Sequence, residues 1–374
     1  MRILRLLRLG PLRMIPLQLP LVPEWAEDPG RPSPVPNGDN PEHWSQLESL
    51  SRGTSFVAIP PGSVLNRPSS TGMGFWSINP YVGCEFGCSY CYARETHRYT
   101  VERARAGGRL EPALGEEFGG MPGWEAFERR ILVKEGADAA LERSLHRVRG
   151  DRRPIVIGTA TDPYQPAERR FGLTRRILET LARHRGLSVE IITKSSLVTR
   201  DIPLLQRIAE HNDVGVNISL ATLDPLLIRK LEPRTPVPQA RLRALKALRG
   251  AGIDAGLLIA PILPGLTDGR RGLSRLVEAG RRAGARWAMG GALRLGPGAR
   301  KRFLPYFEQV FPELAARYHA HYASRQGVSR QYQSALDRRL AEVQHEHGLE
   351  PSRGMRRQRV LEGRSADPEQ VRLL

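Results

Sequence analysis

Cysteine is nearly absent from this chain. There are three in 374 residues, and all of them, Cys84, Cys88 and Cys91, fall within a single short stretch. An odd, clustered set excludes a disulfide framework, and the first gap is too short for a relaxed bridge. The lack of spaced pairs points instead to a reducing, cytoplasmic interior. Lysine is almost as scarce: Lys134, Lys194, Lys230, Lys246 and Lys301 are the only five, so arginine supplies 57 − 5 = 52 of the basic residues. Acidic residues number 39, and the resulting net charge of +18 permits an anionic partner such as nucleic acid. A GC-rich genome gives the same arginine bias. Long apolar runs are missing too, since nothing approaches the roughly 20 residues needed to span a bilayer, and no membrane partner is expected. Hydrophobic residues at 40% still support a substantial core.

The first 22 residues are rich in arginine and leucine and carry no acid, which resembles a targeting peptide. Pro11, Pro16 and Pro20 break any helix there, and Met14 offers a later start. Residues 23–53 are rich in Pro, Gly, Asp, Asn and Ser and read as a disordered linker.

From residue 75 the pattern changes. Short apolar strands are predicted at 75–79, 154–160, 187–193, 214–220, 252–262 and 286–293. Helical spacing is predicted at 93–106, 137–148, 169–183, 202–211, 224–231, 238–250 and 269–283, with a Gly- and Pro-punctuated loop over 109–127. Apolar strands alternating with helices of this length indicate an α/β fold with a parallel sheet and right-handed crossovers. Six βα units suit a partial (β/α)6 barrel, and an open doubly wound sheet would give a similar string. Beyond Pro297 the chain becomes helical, with one helix expected over 306–325, another over 331–347, and a basic tail carrying Arg353, Arg356, Arg357, Arg359 and Arg364. These patterns divide the chain into a disordered leader and linker over 1–53, a barrel core over 54–300 and a helical extension with its tail over 301–374.

The cysteines, spaced C-x3-C-x2-C, are too close together to be ordinary core and are suited to a metal centre. No fourth cysteine completes an all-cysteine iron–sulfur site, so a cubane held here keeps one iron open for an outside ligand. With His97 the same triplet makes a C-x3-C-x2-C-x5-H set, which would close a structural zinc site; the basic charge would then suggest a zinc-stabilised nucleic-acid-binding protein.

With Tyr90 just before the third cysteine, the triplet resembles the signature of the radical S-adenosylmethionine (SAM) superfamily. The flanking text is similar to a spore-photoproduct-lyase-like bacterial subgroup of unassigned substrate. The matching stretches are Ser77-Ile78-Asn79-Pro80-Tyr81, Gly158-Thr159-Ala160-Thr161-Asp162-Pro163-Tyr164-Gln165-Pro166-Ala167-Glu168, Ile192-Thr193-Lys194-Ser195, Leu231-Glu232-Pro233-Arg234 and Ala260-Pro261-Ile262-Leu263-Pro264-Gly265-Leu266-Thr267-Asp268, within roughly residues 55–320. The resemblance implies a partial (β/α)6 barrel of TIM-like form, with Cys84, Cys88 and Cys91 holding a [4Fe–4S] cluster. It also implies SAM at the open iron and a reductant such as flavodoxin or ferredoxin. The reaction expected is reductive cleavage of SAM to a 5′-deoxyadenosyl radical, which abstracts hydrogen from a substrate the sequence does not identify, a nucleic-acid lesion being one class.

In barrels of this type ligands gather where strands end. By resemblance the loop bearing Asp162 and Glu168 holds the SAM ammonium group, although these two carboxylates also suit helix caps, and the common Gly-Gly-Glu is missing. Lys194 is placed for the SAM carboxylate or an anionic substrate, or else snorkels at the surface. Asn217 and Ser219, two apart on one strand face, suit the ribose hydroxyls or the satisfaction of buried backbone groups. Arg234 suits the SAM carboxylate or an ion pair with Glu232. Tyr90 is expected near the adenine, and the strand ending at Pro261 and Ile262 is expected to offer backbone edges to the purine. Spore photoproduct lyases are understood to return a hydrogen atom to their product from a further cysteine, and this chain has none outside the loop.

Overall fold

The computed structural model describes residues 44–352, apart from 51, 52, 63, 73 and 111. The first 43 residues of the leader and linker expected over 1–53, and the basic tail from residue 353, lie outside the described residues. Among the described residues, eleven strands are arranged in two sheets: β1 (Ser45–Ser49), β2 (Ser55–Ile59), β3 (Leu65–Asn66), β4 (Trp76–Ile78), β5 (Tyr81–Val82), β6 (Arg130–Lys134), β7 (Ile155–Ile157), β8 (Ser188–Thr193), β9 (Asp213–Ser219), β10 (Asp254–Ile262) and β11 (Ala288–Ala292).

The larger sheet runs β11-β10-β9-β8-β7-β4-β3. Its strands β4, β7, β8, β9, β10 and β11 are all parallel, and the short β3 adds antiparallel at the β4 edge. These are the six strands the apolar runs predict. Val189, Ile191, Val216, Ile218, Leu257 and Ile259 face the surrounding helices in one continuous core. The alternate positions face the barrel interior, where the pleat places Glu190, Asn217 and Gly256. Trp287 lies across Gly256, and a Cβ built on that glycine would come within 2.5 Å of the indole. The Trp287 indole N–H donates to Asn217 Oδ1 at 2.9 Å, and Asn217 Nδ2 donates to Glu190 Oε2 at 2.9 Å, so the interior is filled rather than open at this level. Helix Arg330–Glu346 covers the outer face of β11, where Gly290 admits Leu340 and Gln344 donates to the Ala288 carbonyl at 2.6 Å.

The smaller sheet, ordered β1-β2-β6-β5, is formed by strands outside the predicted six. It corrects the sequence reading in two places. The expected linker through residue 53 gives way to a buried Trp44 and strand β1. The expected loop at 109–127 contains helices Pro112–Gly119 and Gly123–Arg129. Prolines there start helices rather than interrupt a loop, and Phe118 packs edge-on against Trp44 with ring centroids 6.2 Å apart. Burial overrides the local Gly and Pro signals.

Two helix boundaries also differ. Gly172, at φ +59, divides the expected helix at 169–183 into Glu168–Phe171 and Leu173–Leu181. The single helix expected at 306–325 is two, Pro297–Val310 and Pro312–Tyr322. Pro312 bars Phe311 from the helical region, and Phe311 adopts φ −137 and ψ 61.

Gly256→Ala is expected to lower unfolding stability by about 1–3 kcal/mol through overpacking against Trp287. A denaturant midpoint unchanged from the parent protein would remove Trp287 from the barrel interior.

Candidate functional site

The cysteine loop begins where the chain leaves the barrel. After β4 it crosses Asn79 and Pro80, enters the small sheet as β5, and turns at Gly83 with φ +93. A Cβ on Gly83 would approach the Phe127 carbonyl to 2.9 Å, so glycine is required by both the dihedral and the contact. The turn is fixed at several points. Cys84 N–H donates to Phe127 O at 2.9 Å, and Thr161 Oγ1 and Gln165 Nε2 both donate to Gly83 O, at 2.6 and 3.1 Å. Glu85 N–H donates to Gln165 Oε1 at 2.9 Å, and Ser89 N–H donates to Leu231 O at 2.9 Å.

Buried charge grips the same loop. Arg94 donates to the Cys88 carbonyl at 2.7 Å and pairs with Glu128 at 2.7 Å, with both side chains almost wholly buried. The other Glu128 oxygen pairs with Arg234 at 2.6 Å, and Arg234 Nε donates to the Glu85 carbonyl. On the opposite side the Tyr90 hydroxyl donates to Glu232. Glu232 also meets Arg241, which is equally inaccessible and donates to the Ser219 carbonyl at 2.9 Å, at the end of β9. Desolvation pushes the Glu232 pKa up, but Arg241 and Lys194 outweigh it and hold the carboxyl below its ordinary range.

All three cysteines are free. Cys84 and Cys88 are buried and Cys91 partly so. They share an apolar pocket with Phe86, Tyr90, Phe127, Leu231, Phe303 and Phe307. Burial pushes the Cys88 thiol up to about 12 and raises those of Cys84 and Cys91, and each thiol also feels the charge of its neighbours. Metal binding must therefore displace protons from neutral thiols, and an iron cluster would offset the desolvation that holds them neutral. Among the described residues no three His, Cys, Asp or Glu side chains are grouped about a single ion position. His97 does not complete the set. Its Nε2 lies 2.8 Å from the Arg130 carbonyl, and its ring packs against Phe118 and Phe127, so the zinc reading lacks its fourth ligand.

Of the other sequence candidates, Lys194 and Asp162 join the cysteines. Lys194 Nζ stands 6.0 Å from the centre of the Tyr90 ring. Desolvation works against its charge, but Cys88 and Glu232 raise its pKa overall. Asp162 accepts from Thr193 Oγ1 at 2.6 Å, Tyr164 N at 2.9 Å and Lys194 N at 2.7 Å, so it ties the loop after β7 to the end of β8. Burial still leaves its carboxyl above the ordinary value. Glu168 caps a helix, accepting from Thr174 N and Arg175 N at 2.8 and 3.1 Å. Arg234 pairs with Glu128 rather than Glu232 and lies on the outer side of the loop. Asn217 is committed to Trp287 and Glu190 deeper in the barrel, and Ser219 donates to the Ala260 carbonyl at 3.4 Å.

Sequence reasoning missed the cover. The C-terminal helices were expected as an appendage, yet Phe303 and Phe307 belong to the same buried apolar cluster as Cys84 and Cys88, and Phe307 stacks on Tyr318 with centroids 3.9 Å apart. The Tyr318 and Tyr322 hydroxyls donate to Pro264 O at 2.8 Å and Leu293 O at 3.0 Å, which fastens these helices to the loops after β10 and β11. A signal was present: six of the chain's 5 + 9 + 9 = 23 aromatic residues fall between Phe303 and Tyr322. Arg94 and Glu128 carried no signal.

A Radical SAM superfamily model matches residues 78–276, more than half of the chain. An uncharacterized protein of Mycobacterium tuberculosis is 35% identical over 291 residues, covering 77% of this chain and 80% of that one. An uncharacterized protein of Methanocaldococcus jannaschii is 30% identical over 191 residues, 51% of this chain and 61% of that one. Among solved structures, a mutant spore photoproduct lyase with bound AdoMet and dinucleoside spore photoproduct shares the fold, with a TM-score of 0.54 and 16% identity over 78% of each chain. The helix over Pro297–Val310 lies beyond the family match.

Two outcomes follow from this geometry. Glu128→Leu leaves the Arg94 guanidinium buried without its carboxylate and is expected to cost about 3 kcal/mol or more in thermal or chemical unfolding; a loss below about 1 kcal/mol would contradict the buried pairing. Burial pushes His97 down to about 4 from 6.5, so between those pH values the unfolded chain binds a proton that the folded chain does not. The stability this gives is complete above about pH 6.5 and is lost as pH falls toward 4, about 3 kcal/mol in all. His97→Gln should flatten that part of the stability–pH curve, and an unchanged slope would contradict a neutral, buried ring.

Proposed function

Because the chain belongs to the radical SAM superfamily and is an enzyme of that type, we propose that Cys84, Cys88 and Cys91 hold a [4Fe–4S] cluster with SAM at its fourth iron. The observation that carries this is the convergence of every cysteine in the chain on one apolar pocket above the six-stranded barrel. Held by Cys84, Cys88 and Cys91, such a cluster would supply the electron for reductive cleavage of SAM to methionine and a 5′-deoxyadenosyl radical, the species that would take a hydrogen atom from the substrate.

The chain's own residues then have distinct tasks. Lys194, beside Cys88 and Tyr90, is the cation for the SAM carboxylate, and Asp162 orients it through the Lys194 amide. Tyr90 presents its ring at the same place while Glu232 fixes its hydroxyl. Ser219, at the end of β9, remains the candidate for a ribose hydroxyl, whereas Asn217 is held by Trp287 and Glu190. The aromatic helices exclude water from the thiolates. A cysteine cannot return the hydrogen atom, since none remains outside the loop, so repair by the cysteine route of spore photoproduct lyases is disfavoured.

Anaerobic reconstitution should load about four irons and four sulfides per chain, and dithionite with SAM should release methionine and 5′-deoxyadenosine. Cys88→Ala should abolish both. One zinc per chain, no sulfide and no cleavage would overturn the reading.

A further inference from the structure

The cysteine loop also has an outer side. Arg234 lies along it, 44% exposed, with its guanidinium where a side chain on Gly87 would be. Gly87 sits at φ +62 between Cys84 and Cys88, and Arg234 Nε donates to the Glu85 carbonyl of the same loop. Beside Arg234, Arg302 is stacked between Trp124 and Tyr306, at 4.3 and 4.9 Å from their ring centres, and its Nε has no hydrogen-bond partner. The Tyr306 hydroxyl donates to the Lys230 carbonyl at 2.5 Å and so joins this patch to helix Pro225–Leu231. Leu226, Arg229 and Lys230 share the exposed face of that helix at i, i+3 and i+4. Leu226, at 76%, is the most exposed large hydrophobic side chain among the described residues. Three nearby carboxylates have partners: Glu128 with Arg94 and Arg234, Glu85 with the Ala167 amide, and Asp224 with the Leu226 and Leu227 amides at the start of that helix. What remains is a cationic face around one apolar anchor.

Such a face calls for an anionic partner, either nucleic acid or an acidic protein. Position favours the protein. A reacting substrate must sit inside the strand ends, whereas this face lies on the far side of the loop. Leu226 is an anchor of the kind protein interfaces bury, and a phosphate backbone offers it nothing. We propose that this face docks an acidic low-potential electron carrier of the flavodoxin or ferredoxin kind, which rests on the radical reading above. In the step served, the carrier is oxidised by one electron and the iron centre of this chain is reduced by one; no bond forms or breaks and no proton moves. Charge on the face raises the encounter rate, and salt weakens it.

The test drives SAM cleavage in the reconstituted full-length protein by two routes in parallel, reduced flavodoxin with its reductase and dithionite. The variants are Lys230→Glu and Leu226→Ser, two exposed side chains outside the cysteine pocket. Each should lower the flavodoxin-driven rate by about tenfold at low salt while the dithionite-driven rate stays within about twofold of the parent. Added salt should slow the flavodoxin route alone. Flavodoxin-driven rates that match the parent in both variants would overturn the docking, whether or not a fluorescent single-stranded oligonucleotide binds more weakly to them. Weaker oligonucleotide binding with those unchanged rates would assign the face to nucleic acid. Failure of dithionite to cleave SAM in the parent protein would overturn the radical reading, and the docking with it.

Discussion

Glu128 is a carboxylate with almost no access to water, held between two guanidiniums that each grip the cysteine loop. Arg94 holds the Cys88 carbonyl and Arg234 the Glu85 carbonyl, so one buried charge fixes the backbone on both sides of Gly87. A short loop with positive-φ glycines has little intrinsic reason to hold one shape. Its geometry is imposed from outside by Glu128, by the Tyr90–Glu232–Arg241 chain, and by Thr161 and Gln165 on the Gly83 carbonyl. Buried ion pairs of this kind add little net stability over an apolar replacement, yet losing one member is costly. They specify the conformation of the cysteine loop.

The two sheets and the C-terminal helices have related roles. The barrel supplies strand ends that carry Asp162, Lys194 and Ser219 to one side of the loop. The small sheet receives the chain as β5 and delivers it to Gly83, while helix Gly123–Arg129 beside it brings Glu128. The aromatic helices after Pro297 supply much of the apolar wall around the thiols, although they lie outside the stretch shared with the family. The cysteine pocket is thus assembled from three separate parts of the chain.

Much of the barrel was legible because its strands are short apolar runs separated by helices with clear periodicity. The sequence was less informative wherever contacts between distant segments decided the outcome. Trp44 and Phe118 order regions whose prolines and glycines read locally as linker and loop. The Leu231 to Arg234 stretch stood out by resemblance, but its geometry was not legible: Glu232 turns to Tyr90 and Arg241, and Arg234 pairs with Glu128 rather than Glu232. Asn217 and Ser219 were rightly placed at the inner end of β9, and only the Trp287 contact revealed that Asn217 was already engaged. A pair such as Arg94 and Glu128, 34 residues apart, leaves no local pattern to read.

The most direct measurement is electron paramagnetic resonance of the dithionite-reduced, reconstituted protein with and without SAM. A cluster held by three thiolates with one open iron predicts a cluster signal whose g-values move when SAM is added. A cluster signal indifferent to SAM, or the absence of any cluster signal in protein that carries zinc, would contradict the account.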